Sequence, residues 1–255
     1  MIGITTIPKP AEQNIAQARE IAEKFSIPFF ERKESCKKCM EENNLDGLIV
    51  CGKELFLKTK DGEYKFHLGM AKLRLLQLKR GSVDRLCKLI PESVNTFLDC
   101  TFGQGNDSIV VSGFLGEKSR IISLEKSKAL YIIGKYGIKK ISETDEYQDI
   151  SKRIELKNED FFTYLKKAES KSIDVVYFDT MFKHPVKSEK NHREAFRKCA
   201  CYDKLTKEIL DESIRVAKKR VIIKERPFSI IFRKYNFSYI DTKKGQSVAY
   251  GVIET

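Results

Sequence analysis

Asp99-Cys-Thr-Phe-Gly103-Gln-Gly105-Asn-Asp107 decides the fold of this chain. An apolar run, Val94 to Leu98, precedes it, and an apolar-periodic segment, Ile109 to Leu115, follows. A strand, a glycine turn and a helix start in that order are the setting in which a G-x-G has meaning. Glycines there let the backbone approach a ligand closely, and the helix N-terminus offers unpaired N–H groups to an anion. The turn departs from the dinucleotide-binding pattern G-x-G-x-x-G, because Ser108 stands at the third glycine position and the carboxylate of Asp99 ends the strand. A tight strand-to-helix turn with no ligand would read the same way.

The segment that follows adds a second element. Arg120-Ile-Ile-Ser-Leu-Glu125 is a short apolar strand ending in a carboxylate, 20 residues after Gly105. In doubly wound folds an acid at that separation accepts hydrogen bonds from ribose hydroxyls.

From Met70 onward, helical and strand patterns alternate. Met70 to Lys79 reads as a basic helix, and Val83 to Ile90 as another, ended by Pro91. Strands are expected at 94–99, 120–125, 153–156, 173–179, 220–224, 236–242 and 246–253, with helices at 106–115, 127–136, 160–168 and 203–219. Such alternation implies an α/β fold, a mostly parallel sheet covered on both faces. The Lys-Lys-Gly245 turn predicts an antiparallel hairpin at the C-terminal edge. Residues 1–66 read as a separate small α/β cap, and 67–255 as the main domain. In the cap, Ile15, Ala18, Ala22 and Phe25 recur at helical spacing, and a strand is expected at 27–30. A helix capped by Ser35 follows, then strands at 48–51, 55–58 and 64–66, two of them joined by Asp61-Gly62.

Composition narrows the class. The chain has 255 residues and a formal net charge of +12, which favours a polyanionic partner. Basic residues cluster at 65–90, including Lys72 and Arg74, and at 183–198, including Lys183, Lys187, Lys190, Arg193 and Arg197. No apolar run is long enough to span a membrane, and Met1 to Pro8 lacks the charged-then-apolar order of a signal peptide. Seven scattered cysteines suit a reducing cytoplasm better than a disulfide scaffold. Cys36-Lys-Lys-Cys39 has metal-ligand spacing, but neither Cys51 nor Cys199-Ala-Cys201 repeats it, so no metal site is expected.

A second motif, Asp179-Thr-Met-Phe182-Lys-His184-Pro185, follows the strand at 173–179. That places it at the carboxyl ends of the strands, where open α/β sheets bind ligands. Asp179 can accept hydrogen bonds from an amine there, and Phe182 can stack on a planar ring. Alone, the segment reads better as a Pro-ended loop with a buried Phe.

Taken together, from about Phe66 to the C-terminus, the chain resembles the class I S-adenosylmethionine-dependent methyltransferases. Residues 99–107 look like their first motif, Glu125 like the acid after their second strand, and Asn158-Glu-Asp160-Phe161 like the loop that brackets the adenine. The likeness is greatest to the bacterial family that methylates a guanine N2 in small-subunit ribosomal RNA. That family carries D-A-T-A-G-L-G-R-D, an L-E-R strand end, Y-L-D-P-M-F-P and V-V-V-K-R-P. Its counterparts here are residues 99–107, Leu124-Glu125-Lys126, Tyr177 to Lys183, and Val221-Ile-Ile-Lys224-Glu-Arg226-Pro227. Thr180 stands where that family has proline, Lys126 where it has arginine, and Asp160 and Phe161 where it has small hydroxyl residues.

The resemblance implies S-adenosylmethionine as cofactor, touched by Asp99, Gly103, Gly105, Asn106, Asp107, Glu125, Lys126, Asp160, Phe161 and Asp179. It implies a catalytic turn of Asp179, Thr180, Met181 and Phe182, acting on an exocyclic amine of a nucleobase in small-subunit ribosomal RNA. The 183–198 cluster, with Lys72 and Arg74, would then meet phosphates. Two rivals stay open. A methyltransferase for a protein or small molecule would work without RNA, and a silent module would hold cofactor and RNA without transferring a methyl group.

Overall fold

The computed structural model describes residues 1–180 and 205–255, which divide into two compact units. The first holds Met1–His67 and Ser127–Gly137. Its four-stranded sheet runs β1 (Ile2–Thr6), β2 (Gly47–Cys51), β3 (Phe56–Thr59), β4 (Gly62–Lys65). β1 and β2 are parallel, and β2, β3 and β4 form an antiparallel meander whose last turn carries Asp61. Helix α1 (Glu12–Phe25) buries Ala18 and Ile21, and α2 (Cys36–Glu42) begins at Ser35, whose hydroxyl accepts from Lys38 N. Strand β1 was not anticipated. The strand expected at 27–30 shrinks to one bridge, Ile4 to Phe29, because Pro28 has no N–H to extend the pairing.

The second unit holds Leu68–Lys126, residues 138–180 and residues 205–255 among those described. Its seven-stranded sheet has the order β10-β11-β9-β8-β5-β6-β7. β5 (Thr96–Asp99), β6 (Arg120–Leu124), β7 (Ile154–Lys157), β8 (Ile173–Asp179) and β9 (Ala217–Glu225) are parallel. β11 (Ala249–Glu254) lies antiparallel between β9 and the edge strand β10 (Tyr239–Asp241). This is the expected mostly parallel sheet with its antiparallel C-terminal hairpin. Its central strands are buried apolar runs, with Phe97, Leu98, Val175, Val176, Val221 and Ile222 all at 0% exposure.

Helices α3 (Gly69–Lys79), α4 (Arg85–Leu89), α5 (Asn106–Leu115) and α7 (Gln148–Lys152) belong to this unit, with α5 packed on α3, α4 and α7. α6 (Lys128–Ile141) starts in the first unit's segment and ends in the second's. α8 (Phe161–Lys167) and α9 (Lys207–Val216) bury Leu165, Ile209, Leu210 and Val216 in one core with Leu98, Val176 and Val221. The helix expected at 203–219 is shorter: Thr206 caps its start, and at Ala217 the chain pairs with Ile173 as strand. α7 and α10 (Ile231–Lys234) are short and were not anticipated. Among the described residues no helix is long and apolar enough to cross a membrane.

Candidate active site

The carboxyl ends of β5, β6, β8 and β9 carry Asp99, Glu125, Asp179 and Lys224. At β5, Gly103 (φ 55°) and Gly105 (φ 75°) take the left-handed backbone that glycine tolerates. A Cβ on Gly105 would come within 2.5 Å of the Phe102 ring, which is buried below the turn. Asp99 lies under the same turn, accepting from Thr101 N at 3.0 Å and from the Ser108 hydroxyl, which also bonds Ser123 Oγ at 2.8 Å. Burial pushes the Asp99 carboxyl up to about 7, against the pull of those two donors. Ser108, where a third glycine was sought, is thus the brace that ties the helix start to β5 and β6.

At the end of β6, Glu125 is buried at 7% exposure, and its Oε2 accepts from Gly103 N at 3.1 Å. The Asn158 amide donates to the Glu125 and Lys126 carbonyls at 2.8 and 3.2 Å, joining the end of β6 to the loop after β7. Asp160 caps α8 by accepting from Thr163 N at 2.9 Å, and Lys126 pairs with it at 2.9 Å. Burial opposes the charged Asp160, but the Thr163 N–H and Lys126 hold its carboxyl below the usual range. The Phe161 ring is taken up by the core, edge-on to Phe178 at 5.4 Å. Asn106 turns its Oδ1 to Ala71 N of α3 at 3.1 Å.

The densest cluster was the least legible beforehand. Lys224, on β9, lies in register with Asp179 on β8, and its Nζ donates to Asp179 Oδ2 at 2.7 Å and Asp107 Oδ2 at 2.9 Å. Asp107 also accepts from the Tyr177 hydroxyl at 2.7 Å and from Arg74, whose Nε reaches Asp84 at 2.7 Å. Burial opposes charge on Asp107, but Lys224 and Arg74 outweigh it and hold the carboxyl well below the ordinary range. Burial likewise opposes the ammonium of Lys224, and Asp107 and Asp179 more than reverse that, so it stays protonated. Asp179 is pushed upward, first by burial and then by Asp107, against the pull of Lys224.

Thr180 replaces the ring constraint of a proline with hydrogen bonds. Its hydroxyl donates to Lys224 O at 2.8 Å and meets Glu225 Oε2 at 3.0 Å, and its N–H, which a proline lacks, reaches Lys224 O at 3.3 Å.

The structure therefore brings Asp99, Gly103, Gly105, Asn106, Asp107, Glu125, Asp179 and Thr180 to one end of the sheet, with Lys126 and Asp160 beside them. Arg74 is a correction. It was expected to meet phosphate, but it is turned inward, its side chain 16% exposed, and its guanidinium is engaged by two carboxylates. Lys72, on the same helix, is exposed. Met181, Phe182, Lys183, Lys187, Lys190, Arg193 and Arg197 lie outside the described residues. Tyr177, Thr101 and Lys224 were not singled out as site residues. All three do lie in the segments that carry the resemblance, Thr101 in 99–107, Tyr177 at the head of 177–183 and Lys224 in 221–227. Among the described residues no group of His, Cys, Asp and Glu is arranged to hold a metal.

Comparison with known proteins bears on this arrangement. Residues 48–246 match the family described as "Putative SAM-dependent methyltransferase". The chain is 31% identical over 256 residues to the uncharacterized protein YpiP of Bacillus subtilis (strain 168), covering 99% of each. It is 29% identical over 151 residues to the ribosomal RNA small subunit methyltransferase J of Francisella tularensis subsp. novicida, covering 59% of this chain and 58% of that one. A SAM-dependent methyltransferase from Neisseria gonorrhoeae has the same fold, with a TM-score of 0.68 at 17% identity over 100% of this chain and 96% of that one. With a glycine turn, a strand-end acid and a charged β8–β9 end held on such a sheet, and a family match over most of its length, this chain belongs to the S-adenosylmethionine-dependent methyltransferases.

Proposed function

We propose that this protein methylates an exocyclic amine of a nucleobase, guanine N2 in small-subunit ribosomal RNA. The observation that carries the reading is the Asp179-Thr180 turn, held at the carboxyl end of β8 by Lys224 and facing the same end of the sheet as the glycine turn. The name of the Francisella relative supports an RNA substrate.

The residues present fit the cofactor. Two left-handed glycines, one on each side of Gln104, leave backbone without Cβ atoms beside a helix start, and Glu125 sets a carboxylate at the end of the next strand. Gly103 and Gly105 would let the chain approach the cofactor, Glu125 would accept from the ribose hydroxyls, and Asp160 with Lys126 would border the adenine. The ion-pair network of Arg74, Asp84, Asp107, Asp179 and Lys224 holds one carboxylate more than it holds cations. That excess favours a positively charged ligand over a neutral one. The cofactor supplies a methyl group already activated on a sulfonium.

What is left to the protein is orientation and exclusion of water. The lone pair of guanine N2 is delocalised into its ring. Asp179 and the Thr180 carbonyl would accept hydrogen bonds from the amine and localise that pair as the new bond forms, and the proton the amine gives up would pass through Asp179 to solvent. Lys224 would keep Asp179 oriented and ionised. Phe182 would stack on the base once it has left its helix, and Lys187, Lys190 and Arg193 would contact phosphates. Mass spectrometry of ribosomal RNA nucleosides tests this. A strain lacking the gene should lose N2-methylguanine at one site, and complementation with Asp179→Asn should not restore it. An unaltered nucleoside profile in the deletion strain refutes the substrate.

A further inference from the structure

Beyond Lys224, β9 leads into a loop with an uncommon exposure pattern. Phe228 is 91% exposed and Ile230 is 70% exposed. Single exposed apolar side chains are common, but two of them two residues apart make a patch of the kind that marks a binding surface. The residues that follow half-bury their aromatics as far as Phe237. Phe232 and Phe237 meet edge-on at 5.4 Å over Gly251 of β11, where a Cβ would come within 2.5 Å of Phe237. The Tyr235 hydroxyl donates to Leu205 O at 3.0 Å, and Ile231, Tyr235 and Phe237 pack on the core. The Arg226 carbonyl accepts from Ser229 N at 3.0 Å, closing a turn around Pro227 and Phe228. The loop is therefore anchored at both ends and presents Phe228 outward.

Its charge is one-sided. Residues 226–248 contain five basic side chains and one acid, Asp241, which Arg85 holds at 2.6 Å. Arg233, Lys234, Lys243 and Lys244 are exposed. The pairing of Ala249 with Glu225 sets the hairpin tip bearing Lys243 and Lys244 at the same end of the sheet as Asp179. Phe228 follows Lys224 by four residues, a span of at most about 14 Å.

We propose that Phe228 is a stacking platform for an unpaired base next to the methylated one, on a single-stranded stretch of the RNA substrate. Arg233, Lys234, Lys243 and Lys244 receive the phosphates of that stretch. An aromatic face exposed near exposed cations is the feature that single-stranded nucleic acid engages, since every base has a face to stack and every link a charge. The inference rests on the reading that the substrate is RNA.

The test uses the full chain and a fluorescein-labelled single-stranded RNA of small-subunit ribosomal sequence, with binding followed by anisotropy over a salt series. Phe228→Ala should weaken binding by about 5- to 150-fold, the effect of losing one stacked base. Phe228→Trp should bind like the wild type, whereas Phe228→Leu should remain weak. The double variant Arg233→Glu, Lys234→Glu should lower the salt slope by about two. All variants should bind S-adenosylhomocysteine like the wild type in calorimetry. Wild-type RNA affinity in Phe228→Ala, or full recovery in Phe228→Leu, overturns the platform. The latter result would indicate a generic apolar contact, as for a protein partner. A wild-type protein that methylates RNA while Phe228→Ala binds it equally well removes this inference alone. A wild-type protein that neither binds nor methylates RNA removes the RNA reading as well.

Discussion

Replacing Lys224 by methionine isolates the ammonium that joins Asp107 to Asp179. The substitution keeps length and apolar bulk and deletes two ion pairs, of 2.9 and 2.7 Å, from a side chain 18% exposed. Removing one partner from a buried pair costs about 3–5 kcal/mol, because a charge is left behind without compensation. Asp107 keeps Arg74 and Tyr177. Asp179, with 32% of its side chain exposed, can draw on water. The loss should therefore fall near the lower end, about 3 kcal/mol, read as a shift in the urea unfolding midpoint. Catalysis should change in a more specific way. Asp179 already sits above the usual carboxylate range and Lys224 is the group that pulls it down, so without Lys224 it holds its proton to higher pH. Methyl transfer by Lys224→Met should then climb by up to about tenfold per pH unit across a range where the wild-type rate is level. Lys224→Arg, which keeps the charge, should restore the level profile. A folded Lys224→Met enzyme of wild-type stability, with a pH profile parallel to that of the wild type, would refute the reasoning.

Three further substitutions probe the rest of the site. Glu125→Ala should weaken cofactor binding in calorimetry by about 1–3 kcal/mol. Glu125→Gln, which keeps an acceptor for Gly103 N, should lose less, and equal affinity in all three proteins removes Glu125 from the ribose role. Gly105→Ala sets a Cβ within 2.5 Å of the Phe102 ring at a φ of 75°. It should cost about 1–3 kcal/mol in stability and abolish cofactor binding, and a fully active Gly105→Ala enzyme contradicts the tight turn. Asp99 tests the sign of a pH effect. With its carboxyl pushed up to about 7 by burial, the folded chain keeps a proton that the unfolded chain releases near pH ~3.9. This contribution is complete below about pH 4 and is lost as pH rises through about 7, roughly 4 kcal/mol in total. Asp99→Asn should flatten that decline, and a variant that declines as steeply as the wild type assigns the effect elsewhere.

The parts of the molecule legible in the sequence were those whose signal is local. The glycine turn lies between an apolar run and a helical period, and Glu125 closes the next run, so both could be read from neighbours alone. The alternation of strand and helix gave the parallel sheet for the same reason. The charged cluster could not be read this way. Arg74 sits in a run of basic residues that looks like one solvated face, and its carboxylates lie 10 and 33 residues away in sequence. Lys224 and Asp107 are 117 residues apart and meet only through the strand order β5-β8-β9. In the first unit, β1 is a short run interrupted by Gly3, where a Cβ would come within 2.5 Å of the Phe30 ring. A close approach of that kind leaves no mark in hydropathy.

The pinned ends of the chain between Thr180 and Leu205 have an evolutionary consequence. Thr180 is fastened to the Lys224 carbonyl at 2.8 Å, and the Leu205 carbonyl to the Tyr235 hydroxyl at 3.0 Å. Both bonds join residues of the described framework, as does the Asp179–Lys224 pair. Because Asp179 and Lys224 owe their meeting to the β8–β9 register, residue exchange at exposed positions such as Arg233 and Lys244 leaves that meeting alone. Descendants of one ancestor could vary such exposed positions and acquire new targets while inheriting the same strand-held ion pair.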